Sequence, residues 1–173
     1  MDLTFFAQIL GLVSFALGIS TFYQKDDRRL KIIMVIFNTN HLIHYILLGS
    51  VPAAASSFIS VLRTGTSIFT SSKYVAAIFI ALALAMSFKV VHSVADIWAP
   101  IGTIIGTYSL FMLKGIKMRI AFILGASCWL TNNILVGSIG GTMLEMTAIT
   151  MNSITIFRIY RDRKRQDTLP SPV

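Results

Sequence analysis

The side chains here with chemistry to offer are amides, imidazoles and one guanidinium set inside long apolar runs. One group is Asn38, Asn40, His41 and His44, in which Asn40 and His44 stand one helical turn apart. A second is Trp129 with Asn132 and Asn133, while Arg63 and Asn152 each stand alone in an apolar stretch. An unpartnered polar group in lipid is costly, so each either bonds a neighbouring helix or faces a polar ligand. Amides and imidazoles offer both donors and acceptors to an uncharged solute, and an indole ring can stack on it. Arg63 offers a permanent positive charge to an anion, a gate or a cluster of carbonyls, or else climbs along its own stem to the interface. Candidate solute contacts are therefore Asn40, His44, Arg63, Trp129, Asn132 and Asn152, with interhelical hydrogen bonding as the alternative role. His41 and His44 alone supply too few ligands for a metal, and no metal or cofactor is expected. Thr142-x-x-Glu145 reads as a capping box opening a helix. Glu145 is then placed at a helix end, so no coupling carboxylate is expected deep in a span. There is no Gly-rich phosphate loop, no nucleophile beside a base and no close carboxylate pair, so an enzyme is not expected.

These residues must be positioned by helices that cross a membrane. The chain is 55% apolar and 13% charged, outside the range of soluble globular domains. Seven apolar runs nearly exhaust it: Leu3–Tyr23, Leu30–Leu48, Ala53–Thr70, Tyr74–Val91, Ile97–Leu113, Met118–Val136 and Thr142–Tyr160. About 18 residues at ~1.5 Å each span most of a ~30 Å hydrocarbon layer. Gly11 and Gly18 share one face of the first run, where a neighbour can approach closely. Pro52 suits the first turn of the third. The fourth, Tyr74–Val91, has only Lys89 as a strongly polar group and looks built merely to cross. Met1-Asp2-Leu3 lacks the basic start of a cleaved signal peptide, and the lone Cys128 reads as an inert buried thiol. The tail, 161–173, is expected to be basic and disordered.

A net charge of +8 would suit nucleic acid, but the basic residues cluster between the apolar runs, and no nucleic-acid partner is expected. Lys25, Arg28, Arg29 and Lys31, then Lys73, then Lys114, Lys117 and Arg119, then Arg158, Arg161, Arg163, Lys164 and Arg165 fall on one side, with Lys89 opposite. The bias toward a basic cytoplasmic side then places the N-terminus outside and the C-terminus in the cytoplasm.

Sliding the first three runs onto the last three by 88 positions aligns Gly18 with Gly106, Arg29 and Lys31 with Lys117 and Arg119, and Gly49-Ser50 with Gly137-Ser138. It also pairs His41 with Trp129 and His44 with Asn132. The expected fold is an all-α membrane protein of seven helices. Two parallel three-helix repeats, 1–73 and 92–160, are joined by an inverting helix at 74–91.

That three-plus-one-plus-three layout resembles the SWEET and proline-glutamine-loop transporters, a resemblance that covers the whole chain. It implies a substrate held between the triplets at mid-membrane, with Asn152 at the position of that group's substrate-contacting asparagine. The Pro-Gln dipeptide is missing, and Arg63-Thr64 stands at the equivalent place in the third run, a departure from a sugar site. A second resemblance, to the YgjV-type bacterial inner membrane proteins, is carried by Leu47-Leu48-Gly49-Ser50-Val51-Pro52-Ala53, Arg63, Ile101-Gly102-Thr103, Lys114-Gly115 and Met118-Arg119. Gly137-Ser138-Ile139-Gly140-Gly141-Thr142, Glu145, Asn152 and Arg158 complete it. It implies an inner membrane location and brings no activity with it. The expected function is a facilitator for a small polar solute, with the bilayer as its other partner and a homo-oligomer as one possible state. The alternative is a non-transporting binding or assembly protein.

Overall fold

A computed structural model describes residues 3–22, 27–113 and 115–167. The first two residues, the charged turn around Lys25, Lys114 and the last six residues of the tail lie outside the described residues. The described residues form seven α-helices and no strand: α1 Leu3–Phe22, α2 Asp27–Leu47, α3 Val51–Ser67, α4 Lys73–Val90, α5 Trp98–Met112, α6 Gly115–Leu135 and α7 Ile139–Asp167. All seven expected helices are present, with ends within a few residues in most cases. Helix α7 differs in the residue that caps it and in how far it runs. It starts at Ile139 because Ser138 caps it, its Oγ accepting from the Gly141 amide at 3.1 Å. It also runs on to Asp167, so 161–167 is helical where disorder was expected.

Two turns set the geometry of one end of the bundle. Gly49 and Gly137 both have φ near +70° (72° and 71°), which closes α2 and α6 with no Cβ penalty. The Ser50 amide donates to Tyr45 O at 3.0 Å and the Ser138 amide to Asn133 O at 2.8 Å. Gly49 N reaches Ile46 O and Gly137 N reaches Ile134 O, so the two turns make the same bonds at an offset of 88 residues. Pro52 sits in the first turn of α3, as its fixed φ favours. Before α5, a 3-10 turn at Val94–Ile97 is held by Asp96, whose Oδ2 accepts from the His92 and Ser93 amides at 3.1 and 3.0 Å.

The helices close into a ring. Each of α1, α2, α3, α5, α6 and α7 packs on the next, and α7 packs back on α1. Helix α4 lies outside, against α3 and α5. Its buried stripe is narrow, Ala76, Phe79 and Ala83 against Ile59 and Ile104, while Phe88 is 88% exposed. The burial pattern is the inverse of a soluble domain. Buried positions are mostly polar, among them Ser56, Ser57, Ser60, Thr64, Thr103 and Asn133. Large apolar side chains such as Ile36, Ile43, Leu62, Leu124, Ile134 and Phe157 face outward. Leu3–Ser20, Lys73–Val90 and Val94–Met112 are long and apolar enough to cross a membrane by length and composition alone. On the more polar helices, exposed hydroxyls such as Thr39, Ser127 and Ser153 bond back to carbonyls of their own helix.

Close approach explains several glycines. A Cβ on Gly140 would lie 2.0 Å from the Gly11 carbonyl carbon, so α1 and α7 meet backbone to backbone. A Cβ on Gly18 would lie 2.2 Å from Leu144 Cδ1, so the expected small-residue face of α1 is the face that α7 covers.

Candidate functional site

A cavity of about 660 Å³ lies inside the ring, the size of a small-ligand site. Every ring helix contributes to its wall and α4 does not. Helix α1 does so through Gly18 alone, and others through a stripe of about three- and four-residue spacing: Met34, Phe37, Asn38 and His41 on α2; Met118, Phe122, Gly125 and Trp129 on α6; Glu145, Ala148 and Asn152 on α7. By helical rise, the lining runs about 15 Å from Lys31 to His41 along α2.

Toward the glycine turns the interior is filled. His41, Tyr45 and Trp129 form a stack, with ring centroids 4.9 Å apart for His41–Tyr45 and 5.7 Å for Tyr45–Trp129. The Tyr45 hydroxyl donates to Asn133 Oδ1 across the ring, a bond between residues 88 apart. Beyond it, the His44 Nδ1 pairs with Ala7 O at 2.6 Å and its Nε2 with Ser138 Oγ at 2.7 Å. Gln8 bridges the α6–α7 turn, donating to Gly137 O and accepting from the Ile139 amide.

Toward the other end the cavity is lined by cations. Lys31 Nζ donates to Ser67 O at 2.5 Å, and Arg119 Nη1 to Asn152 Oδ1 at 3.3 Å. Lys31 and Arg119 are 88 residues apart. Arg63, 8% exposed, turns away from the outer surface. Its Nη1 reaches Thr103 O at 3.4 Å and Thr107 Oγ1 at 3.2 Å, and Gly106 leaves room for it. Its Nε is buried without a partner. Among the described residues no carboxylate pairs with it.

Of the six expected contacts, Arg63, Trp129 and Asn152 line the cavity. The other three do not, and their surroundings are a correction to that expectation. The Asn40 amide donates to Leu10 O and Ser14 Oγ, both at 2.7 Å, tying α2 to α1. His44 ties α2 to α1 and to the α6–α7 turn. Asn132, 2% exposed, lies one turn beyond Trp129, past the stacked rings. The reason is angular: Asn40 is about 200° around α2 from Asn38, so the two amides face different neighbours. Asn38 is on the cavity stripe and donates to Thr64 Oγ1 at 3.2 Å. His41 joins it there, its Nε2 buried and unpartnered.

Glu145 overturns a second expectation. With α7 starting at Ile139, Thr142 lies inside the helix and its hydroxyl donates to Ser138 O, so no capping box forms. Glu145 instead sits about 9 Å into the helix on the cavity wall, so a carboxyl group does lie inside the ring. Lys31 and Arg119, expected as orientation signals and as matched positions of the two repeats, both line the cavity. Among the described residues no third His, Cys, Asp or Glu joins His41 and His44 in a group that could hold a metal.

Comparison with known proteins gives a consistent result. A family model described as a bacterial inner membrane protein, Imp-YgjV, matches residues 5–163. The inner membrane protein YgjV of Escherichia coli (strain K12) is 38% identical over 159 residues, which cover 92% of this chain and 87% of that protein. No solved structure matches.

Proposed function

This chain belongs to the Imp-YgjV family of bacterial inner membrane proteins, and we propose that in that membrane it is a facilitator for a small polar solute. The observation that carries the reading is the cavity, walled by all six ring helices and closed at one end only by side chains. In this reading the ring is two parallel three-helix units, α1–α3 and α5–α7, related by an axis along the bundle, with α4 as the inverting link. The equivalent glycine turns support it. So do the seams, because the 88-residue offset carries the α3–α5 contact onto the α7–α1 contact. Rocking of one unit against the other would break the Tyr45–Asn133 bond and open the glycine-turn end. The basic end is cytoplasmic, so the N-terminus is outside and the C-terminus inside. Arg63, Trp129 and Asn152, with Asn38 and His41, are the solute contacts. The presence of Glu145 on the wall removes the reason for preferring uncoupled movement.

The test is access. In a Cys128→Ser background, a cysteine replacing Asn152 is expected to react with an impermeant thiol reagent from the cytoplasmic side. A cysteine replacing Asn132 is expected to react from neither side. A thermal-shift screen against sugars, amino acids and organic acids, followed by uptake into proteoliposomes, then identifies the solute. The competing reading, a non-transporting assembly protein, draws support from Asn40 and His44, whose bonds only tie helices together. It predicts that Asn152→Cys is unreactive from both sides and that no solute enters.

A further inference from the structure

Charge is unevenly distributed along the cavity. Measured by helical rise from the glycine-turn end, His41, Trp129 and Glu145 lie about 9 Å in. Arg63 lies about 18 Å in, and Lys31 and Arg119 about 24 Å in, where the basic turns begin. An entering solute therefore meets two cations, then a third that is buried, and only then a carboxylate at the floor.

The two outer cations have partners in the protein. Lys31 is held by a carbonyl at the C-terminal end of α3 and Arg119 by the Asn152 amide oxygen. Arg63 is different. Its partners are two neutral oxygens, both on one guanidinium nitrogen, and its Nε has none. A buried guanidinium left in this state is missing a negative partner. The remaining wall is mostly apolar and aromatic, with Met34, Phe37, Leu110, Phe122 and Trp129 between Arg63 and the floor or beside it.

We infer that the cavity takes a small organic anion, a carboxylate carrying an apolar body, with its charge on Arg63 and its body against Phe37, Phe122 and Trp129. Lys31 and Arg119, both on the basic side of Arg63, draw it in, which favours the head-outward orientation. The inference rests on the cavity being a solute site, and it names the class of solute.

Calorimetric titration of the full chain in lipid nanodiscs tests it, with acetate, benzoate and phenylacetate as probes and benzamide as the neutral match. Benzoate and phenylacetate are expected to bind at least tenfold more tightly than benzamide and more tightly than acetate. Arg63→Gln is expected to abolish that preference and Arg63→Lys to keep part of it. Should Arg63→Gln fail to fold, Arg119→Gln is expected to weaken benzoate severalfold and to flatten its salt dependence. Equal binding of benzoate and benzamide, or no heat from any of the three carboxylates, overturns the inference. Uptake into proteoliposomes separates it from the facilitator reading. Arg63-dependent benzoate binding without uptake keeps the anion site and removes transport. Uptake of a neutral solute untouched by Arg63→Gln keeps transport and removes the anion site.

Discussion

The two ends of the ring treat polar side chains in opposite ways. At the glycine-turn end, the Tyr45 bond crosses the ring, His44 and Gln8 tie α1, α2 and the α6–α7 turn together, and Gly11 meets Gly140 backbone to backbone. His44, Gln8 and Tyr45 find partners there, while Asn132 Nδ2 and Asn133 Nδ2 are buried without one. At the basic end, Lys31, Arg63 and Arg119 surround open volume, and the most deeply buried of them lacks a charged partner. Polar side chains in helices of the same pitch serve as ties in one place and line a cavity in the other. What separates the two is whether the facing helix is close enough to answer.

Stability measurements can break that contrast. The largest effect is expected from Gly140→Ala, whose new methyl would collide with the Gly11 backbone, which has no side chain to yield. A loss of about 3 kcal/mol, seen as a large drop in thermal unfolding temperature in detergent, is expected. His44→Ala leaves Ala7 O and Ser138 Oγ without their partner and is expected to cost about 1–3 kcal/mol in the same assay. Tyr45→Phe removes one interhelical bond, an expected loss of about 0.6–2 kcal/mol. If rocking opens this end, it also raises labelling of a cysteine at Asn132 from the outside. Arg63→Met goes the other way. Thr107 still bonds Thr103 O without the arginine, and Met151 stands at the 88-residue equivalent. Stability is expected to be unchanged or to rise by about 1 kcal/mol, while anion binding is lost. A destabilisation like that of His44→Ala would make Arg63 another tie and erase the difference between the ends.

Much of the architecture was readable from spacing. The apolar runs gave the helices their places, Gly49 and Gly137 marked two equivalent turns, and Gly11 and Gly18 marked the face that another helix covers. Helix α7 departs from expectation in its cap and at its far end. Thr142-x-x-Glu145 has the capping pattern, but Ser138 takes the cap one turn earlier, and a sequence offers no rule for choosing between two competent caps. Its far end continues through a charged stretch because Arg and Lys are good helix formers once a helix is under way.

The sequence by itself determined that several helices, α2 and α6 above all, carry polar groups on an apolar helix, because lipid excludes unpartnered polar groups wherever the chain crosses. It left open which of two polar stripes on α2 would face the centre. Asn38 with His41, and Asn40 with His44, are equally plausible in the sequence, since both pairs repeat at about one turn. Only the packed ring decided, by setting α1 against the second pair and leaving the first pair facing empty space. The rotation of a helix about its own axis is set by its neighbours, and those contacts are not local in the chain.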